Sequence, residues 1–92
     1  MNRKVKLRLY VTGSAPNSIA ALVNLKAVRA ALAEHEVEII DVLERPERAL
    51  ADDVLVTPTL LKLAPRPSCR IVGDLSDIHH VLSSLGIVEG AA

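Results

Sequence analysis

Apolar and polar residues alternate near the start of the chain. The alternating apolar positions are Val5, Leu7, Leu9 and Val11. A period of two residues is typical of a β-strand with one buried face, so this segment predicts the first strand. Residues 13–17 contain Gly and Pro and break the alternation. Beyond them apolar residues recur three and four positions apart, which predicts a long first helix ending near His35. These positions are Ile19, Leu22, Leu25, Val28 and Leu32.

The next apolar segment is rich in β-branched residues, which favour strands. They are Val37, Ile39, Ile40 and Val42. We therefore predict a second strand that runs through Leu43. Pro46 ends this strand and suits the first turn of a short second helix, because a proline there loses no helical hydrogen bond. Leu50 and Val54 are expected to supply the apolar contact of that helix.

The last part of the chain predicts a hairpin followed by a helix. A short apolar run contains Leu60, Leu61 and Leu63. Residues 65–68 read Pro-Arg-Pro-Ser and indicate a turn, and residues 70–72 indicate a strand that closes at Gly73. Ser76 is expected to cap the last helix, with Gly86 just past its end. The apolar positions of this helix follow helical spacing, at Ile78, Val81, Leu82 and Leu85.

The predicted elements follow the order strand, helix, strand, helix, strand, strand, helix. A right-handed crossover makes the first two strands parallel, and the last two strands pair antiparallel. The predicted fold class is α/β, with a mixed four-stranded sheet in the βαβαββα order of thioredoxin. A chain of 92 residues has room for one modest core, so we expect residues 1–92 to form a single domain.

Composition narrows the classes of partner and the location. Eleven basic and eleven acidic side chains cancel, which removes the positive field that non-specific nucleic-acid binding requires. The first strand has a basic edge, but Tyr10 is the only aromatic residue available to stack a base. The basic residues are Arg3, Lys4, Lys6 and Arg8. A single cysteine and the lack of a long apolar segment predict a cytoplasmic protein without an internal disulfide or a membrane partner.

The thioredoxin order raises the hypothesis of redox catalysis. Thioredoxins place two cysteines between the first strand and the first helix, where the helix N-terminus lowers the thiol pKa. Here residues 14–17 read Ser-Ala-Pro-Asn, so dithiol chemistry is excluded. A weaker hypothesis remains, in which backbone N–H groups near Asn17 and Ser18 bind an anion or glutathione.

The other polar candidates favour structural roles, so we predict no metal and no cofactor. Cys69 lies on a predicted hairpin strand and is interpreted as a small packed side chain, not a nucleophile. His79 and His80 diverge by about 100° on a helix and are poorly placed to share a metal. His35 is interpreted as a favourable charge at the end of the first helix. The remaining carboxylates are interpreted as caps, and they are Asp52, Asp53, Asp74 and Asp77.

Pro58 follows Thr57 immediately before the predicted third strand. The thioredoxin-like fold places a cis proline there, so we expect a cis Thr57–Pro58 bond. An X–Pro bond costs only about 0.5–1 kcal/mol to hold in the cis form and exchanges over tens to hundreds of seconds. Such a bond is therefore also a candidate for a slow switch.

Several motifs together resemble the circadian clock protein family KaiB over nearly the whole chain. They are Leu9-Tyr10-Val11, Gly13, Pro16-Asn17-Ser18, Ile40-Asp41-Val42-Leu43, Pro46, Thr57-Pro58-Thr59-Leu60 and Gly73-Asp74-Leu75-Ser76. The resemblance implies a non-enzymatic protein that binds the hexameric ATPase KaiC and, in complete clocks, sequesters KaiA. The same module forms the sensor domain of a KaiC-binding histidine kinase, but 92 residues leave no room for kinase parts.

The resemblance also implies a second, metamorphic fold for the C-terminal half, used in a resting tetramer. The switching segment would be residues 50–85, and its candidate switch residues are Pro58, Pro65 and Pro67. The Ser76 cap and the stop at Gly86 agree with a C-terminal helix. We therefore expect the thioredoxin-like state to dominate, as a monomer or weak dimer.

By resemblance, the first helix and the second strand would supply the partner-binding surface. The candidate residues are Asn17, Ser18, Glu38 and Ile39. Familiar KaiB sequences are more basic where this chain has Ala20, Glu38 and Cys69, which leaves open whether it keeps time or serves another pathway such as stress signalling. The alternative function is a thioredoxin-like module that binds a small molecule or anion without redox activity.

Overall fold

The computed structural model describes residues 4–87, so the prediction for Arg3 lies outside the described residues. The elements are β1 Val5–Val11, α1 Pro16–Ala30, β2 His35–Asp41, α2 Pro46–Ala51, β3 Thr59–Ala64, β4 Cys69–Val72 and α3 Ile78–Ser84. The predicted order of strands and helices is confirmed.

The four strands form one sheet in the order β2-β1-β3-β4. β1 pairs in parallel with β2, whereas β3 pairs antiparallel with both β1 and β4. Leu9 lies at the centre, opposite Ile39 on one side and Leu60 on the other. The mixed four-stranded sheet and the β3–β4 hairpin are therefore as predicted.

Two predicted boundaries at the ends of β2 are wrong. α1 ends at Ala30, and His35 instead opens β2 opposite Val5. The role proposed for His35 at a helix end is therefore wrong too. At the other end, β2 stops at Asp41 rather than running through Leu43. The Asp41 side chain accepts a hydrogen bond from the Leu43 N–H at 2.9 Å, which turns the chain away from the sheet.

The larger core lies between one face of the sheet and helices α1 and α3. Its strand residues include Leu7, Leu9, Leu60 and Ile71. The buried stripe of α1 consists of Ser18, Ala21, Leu25 and Val28. Ile19, which the spacing placed in the core, is instead 48% exposed. The inward row of α1 thus begins one residue earlier than predicted and starts with a small side chain.

The smaller core lies under α2 on the opposite face of the sheet. Tyr10, Ile40, Ala49 and Leu61 form it, and Val54 packs against it. Leu50 was expected to contribute, but it is 78% exposed. Ala49 takes its place because α2 is only six residues long and presents one side chain to the sheet.

The last helix is capped at both ends, but not as predicted at its start. The Asp77 carboxylate, not Ser76, accepts the His80 N–H at 3.1 Å. Ser76 instead donates its backbone N–H to Asp74 at 3.0 Å. At the other end, Lys62 is buried and donates its Nζ to the Leu85 carbonyl at 2.9 Å.

Candidate functional site

The carboxyl ends of the parallel strands β1 and β2 meet the Thr57–Pro58 turn at one end of the sheet. The side-chain hydroxyls of Thr12 and Thr57 hydrogen-bond to each other across this junction. The Thr57–Pro58 peptide bond is cis, the geometry expected there, and Pro58 is buried. The bonds before Pro65 and Pro67 in the β3–β4 turn are cis as well.

A carboxylate already accepts two of the backbone N–H groups at this end. Asp41 Oδ1 accepts the Gly13 N–H at 3.1 Å as well as the Leu43 N–H at 2.9 Å. Gly13 has a φ of +43°, and a Cβ there would lie 3.2 Å from Leu43 Cδ1, so glycine suits this turn. The negative charge of Asp41 disfavours a second anion beside these donors.

Two residues proposed for binding lie at the start of α1, and only one has an exposed side chain. Asn17 is exposed. Ser18 is 1% exposed, and its hydroxyl accepts the Thr12 N–H at 2.9 Å. The Ser18 side chain therefore joins α1 to the end of β1 and lies below the surface in this structure, so a role for Ser18 in partner binding stays a prediction.

The side of the sheet that carries α2 holds a network of charged residues. Arg8 lies between two carboxylates, with Nε 2.8 Å from Glu38 Oε1 and Nη1 2.9 Å from Asp52 Oδ2. Arg48 on α2 also donates to Glu38, at 3.0 Å. The Tyr10 hydroxyl lies beneath them, 2.5 Å from Asp52 Oδ2 and 2.9 Å from the Arg48 carbonyl. This network fixes α2 against β1 and β2.

The pKa shifts in this network follow from burial and hydrogen bonding. Burial, followed by the hydrogen bond to Asp52, raises the pKa of Tyr10 to about 12. The Tyr10 hydroxyl and then Arg8 lower the pKa of Asp52. The hydrogen bond from Arg8 lowers the pKa of Glu38 as well. Asp52 was interpreted as a helix cap, but its side chain instead holds Tyr10 and Arg8, and its carboxylate stays ionised at neutral pH.

Glu38 and Ile39 project from the edge strand β2 toward opposite faces of the sheet, as neighbours in a strand must. Glu38 lies on the α2 side within the charged network. Ile39 is 49% exposed on the side that carries α1. The structure therefore does not join all the proposed residues into one cluster.

Sequence reasoning missed two exposed apolar residues on α1. Ile19 and Val23 are 48% and 58% exposed, and residues four apart share one face of a helix. Helical spacing in the sequence allows two inward rows for α1, and the row of Ser18, Ala21, Leu25 and Val28 leaves both residues outside. Together with Ile39 on β2, they place apolar surface on the two elements proposed to bind a partner.

Residues 4–87 give little support for a redox site, a metal site or a membrane-spanning helix. Cys69 is a free, half-buried cysteine that packs against the larger core, away from the β1–α1 turn. Among these described residues no three His, Cys, Asp or Glu side chains are grouped as metal ligands require. None of the helices described is long and apolar enough to span a bilayer.

Known proteins resemble this chain in sequence. The family model of the KaiB domain matches residues 8–87. Circadian clock protein KaiB3 of Synechocystis sp. is 48% identical over 90 residues, which cover 96% of this chain and 87% of that protein. The circadian clock oscillator protein KaiB of Synechococcus elongatus is 44% identical over 86 residues, with coverage of 91% and 84%.

Solved structures share the fold. The N-terminal domain of Synechococcus elongatus SasA has a TM-score of 0.73 at 24% identity and covers 100% of this chain and 92% of its own. Mitochondrial thioredoxin 3 of Saccharomyces cerevisiae has a TM-score of 0.75 at 14% identity, with coverage of 91% and 78%. The predicted thioredoxin-like fold is confirmed. Because both the family model and relatives above 40% identity span most of the sequence, the chain belongs to the KaiB family of circadian clock proteins.

Proposed function

We propose that this protein is a non-enzymatic regulator that binds a KaiC-type hexameric ATPase in the cytoplasm. The observation that carries the proposal is the 48% identity to a circadian clock protein over 96% of the chain. The charged network supports the non-enzymatic role, because the Glu38 and Asp52 carboxylates are both engaged with Arg8. A single cysteine in the whole chain supports a cytoplasmic location.

The proposed binding surface comprises Asn17, Ile19 and Val23 on α1 together with Ile39 on β2. The three apolar residues are each about half exposed, so a partner that covered them would gain hydrophobic free energy. Glu38 lies on the other face of β2, where it would meet a partner that wraps around this edge. Its carboxylate is partly neutralised by Arg8 and Arg48, which limits the cost of covering it.

A titration with matched variants tests this proposal. The labelled protein is titrated with the KaiC-type ATPase of the same organism, in ATP and in ADP, and anisotropy is followed for many hours. Val23→Lys should weaken binding at least about tenfold, because it places a charge in an apolar contact. Val72→Lys on β4 is the control for exposure, since Val72 is also a valine with 58% exposure. Because residue 72 lies within the proposed switching segment, the amide spectrum of this variant should first be shown to match that of the wild type.

Two outcomes of this titration, and one of the same titration with other partners, would contradict parts of the proposal. A lack of binding at micromolar concentration would contradict the ATPase as partner. Equal weakening by both variants would contradict the α1 and β2 surface. If a KaiA-like protein or a histidine kinase bound instead, the regulator would act on a different component of the same pathway.

The proposal includes a second fold of residues 50–85, with Pro58, Pro65 and Pro67 as switch residues and a tetramer as the alternative assembly. Contacts that such a change must break include Asp52 with Tyr10, and the Asn24 side chain with the Asp74 carbonyl at 2.8 Å. Nuclear magnetic resonance should reveal a second, slowly exchanging set of signals confined to this segment. A single set of signals at all concentrations would contradict the switch.

The alternative function, binding of a small molecule or anion, has weaker support. The hypothesis uses the N–H groups near Asn17 and Ser18, and in the turn just before them the Gly13 N–H is already accepted by the Asp41 carboxylate. The Ser18 hydroxyl is also engaged, with Thr12. A glutathione titration that shifts the amide signals of Gly13 and Asn17 would restore this alternative.

A further inference from the structure

Lys62 lies on β3 beneath the end of α3, and its burial is unusual for a lysine. The residue is 5% exposed, and its Nζ donates to the Leu85 carbonyl at 2.9 Å. A Cβ added at Gly86 would lie 3.8 Å from Nζ, so the amino group sits directly under the end of the helix. None of the ion pairs formed within residues 4–87 includes Lys62. Within the described chain, the positive charge is therefore buried against a carbonyl group and not against a carboxylate.

A carbonyl group at the end of a helix compensates a buried charge only in part. The C-terminal end of a helix carries partial negative charge and attracts a cation. Removing an ammonium group from water costs more free energy than this attraction provides, and buried ionic groups can often be replaced by apolar side chains of similar volume without loss of stability. We therefore expect α3 to dock less stably over Lys62 than it would over an aliphatic residue.

The connection between β4 and α3 carries a second energetic cost. Leu75 has a φ of +65°, in the left-handed region that a leucine rarely adopts. A residue other than glycine keeps such a conformation only where the surrounding structure imposes it. Here the side chain of Leu75 is 4% exposed and packs in the larger core. Leu75 can return to an ordinary backbone conformation once α3 leaves the sheet.

α3 is also too short to persist as a helix by itself. It spans the seven residues Ile78–Ser84, and isolated helices shorter than about 12–15 residues are marginal in water. Its buried side chains are Val81 and Leu82. The helical form of this segment therefore depends on docking, and a released α3 would be free to take up another structure.

We propose that the buried charge of Lys62 keeps α3 weakly docked, so that α3 can leave the sheet without global unfolding. While α3 is docked, the ammonium group is held out of water. When α3 moves away, water reaches this group and the cost of its burial disappears. The inference concerns the isolated protein, and only its link to partner binding rests on the proposed second fold of residues 50–85.

Amide hydrogen exchange of the isolated protein tests this inference. The amides to follow at α3 are those of Val81, Leu85 and Ile87, each of which donates a backbone hydrogen bond. In the wild type they should be at least about tenfold less protected than the amide of Leu9 in the central strand, because release of α3 exposes them. Lys62→Met should raise their protection at least about fivefold, since it removes the buried charge and keeps a similar volume.

Further variants separate charge from packing. Lys62→Arg keeps the charge and should not raise the protection of α3, whereas Lys62→Leu provides a second apolar side chain in case one of them packs poorly. Lys26→Met replaces an exposed lysine of α1 and should change the protection of α3 less than about twofold. Asn24→Ala should lower it about two- to tenfold, because the Asn24 side chain donates to the Asp74 carbonyl at 2.8 Å and ties the start of this segment to α1.

Two results would overturn the inference. Lower protection of α3 in both Lys62→Met and Lys62→Leu would show that the ammonium group holds α3 in place. Equal protection of the Leu9 and α3 amides in the wild type would show that α3 opens only when the whole fold does.

The anisotropy titration with the ATPase distinguishes this inference from the proposed function. If binding uses the second fold, Lys62→Met should slow association at least about fivefold, because a smaller fraction of the protein has α3 released. Unchanged association together with raised protection of α3 would support weak docking by Lys62 and would contradict the second fold as a step in binding.

Discussion

The two faces of the sheet bury their central residues by different physical means. Leu9 and Tyr10 are consecutive residues of β1, and both are fully buried. Leu9 faces α1 and α3 among aliphatic side chains, so its burial is stabilised by apolar area. Tyr10 faces α2, where its hydroxyl requires partners and finds Asp52 and the Arg48 carbonyl.

This difference implies that the aliphatic face mainly provides stability, whereas the α2 face mainly determines where surface groups lie. Aliphatic contacts are not directional, so that face tolerates repacking as long as its volume is filled. Hydrogen bonds and ion pairs are directional, so the other face fixes α2 and the orientation of Glu38. We therefore expect substitutions on the aliphatic face to change mainly the free energy of unfolding, and those on the α2 face to change local geometry as well.

The largest effect is expected on the aliphatic face. Leu60→Ala should lower the free energy of unfolding by about 2–5 kcal/mol, because it leaves a cavity beside Leu9. Leu63→Ala is the matched control on the same strand, since Leu63 is 40% exposed whereas Leu60 is fully buried. Urea denaturation measures both variants. Similar losses for the two leucines would show that this face is not the main source of stability.

A smaller effect is expected from the Tyr10 hydroxyl on the α2 face. Tyr10→Phe should lower the free energy of unfolding by about 1–3 kcal/mol, because the Asp52 carboxylate and the Arg48 carbonyl lose a buried donor. A double-mutant cycle with Asp52→Ala should give a coupling energy of about 0.5–3 kcal/mol. Strict additivity would mean that the two side chains contribute independently, in contrast to the network described.

Sequence patterns were sufficient to predict the elements that are defined by the spacing of neighbouring apolar residues. The alternation in β1 and the helical spacing in α3 follow from burial on one side, and both elements formed as predicted. The end of α1 was not predictable in this way. Residues 30–34 read Ala-Ala-Leu-Ala-Glu, which favour a helix, but the pairing of His35 with Val5 draws the chain into the sheet.

Local sequence patterns could not predict the charged network, because its residues are far apart in sequence. Tyr10 and Asp52 are 42 positions apart, and nothing near either residue identifies the other. The fold places them together, since α2 crosses the face of β1. The exposure of Ile19 has a similar origin, because the inward direction of α1 is set by how Ser18 meets Thr12.

The third prediction uses pH to distinguish the two faces. The raised pKa of Tyr10, about 12, means that the folded protein keeps the phenol proton after the unfolded chain has lost it near pH 10. The contribution of this group is therefore complete below pH 10 and is lost as pH rises toward 12, by at most about 1.4 kcal/mol per pH unit. Urea denaturation between pH 8 and pH 11 should show a steeper loss for the wild type than for Tyr10→Phe. Equal slopes would contradict the buried, hydrogen-bonded phenol.

The smallest effect is expected where charges on the sheet are exposed. Glu36 lies 3.7 Å from Lys4 Nζ and 3.9 Å from Lys6 Nζ, and all three side chains are about half exposed. Glu36→Gln should change the free energy of unfolding by less than about 0.5 kcal/mol, because water and salt screen such pairs. Glu38→Gln, two residues along the same strand, should cost more, since Glu38 accepts from Arg8 and Arg48 on the face that α2 covers. Urea denaturation at low and high salt measures both, and only a larger loss at Glu38 agrees with a network that positions α2. If Glu36→Gln lowered the free energy of unfolding as much as Glu38→Gln, the ion pairs of β2 would act through general surface charge. The directional interactions assigned to the α2 face would then be limited to those of Tyr10 and Asp52.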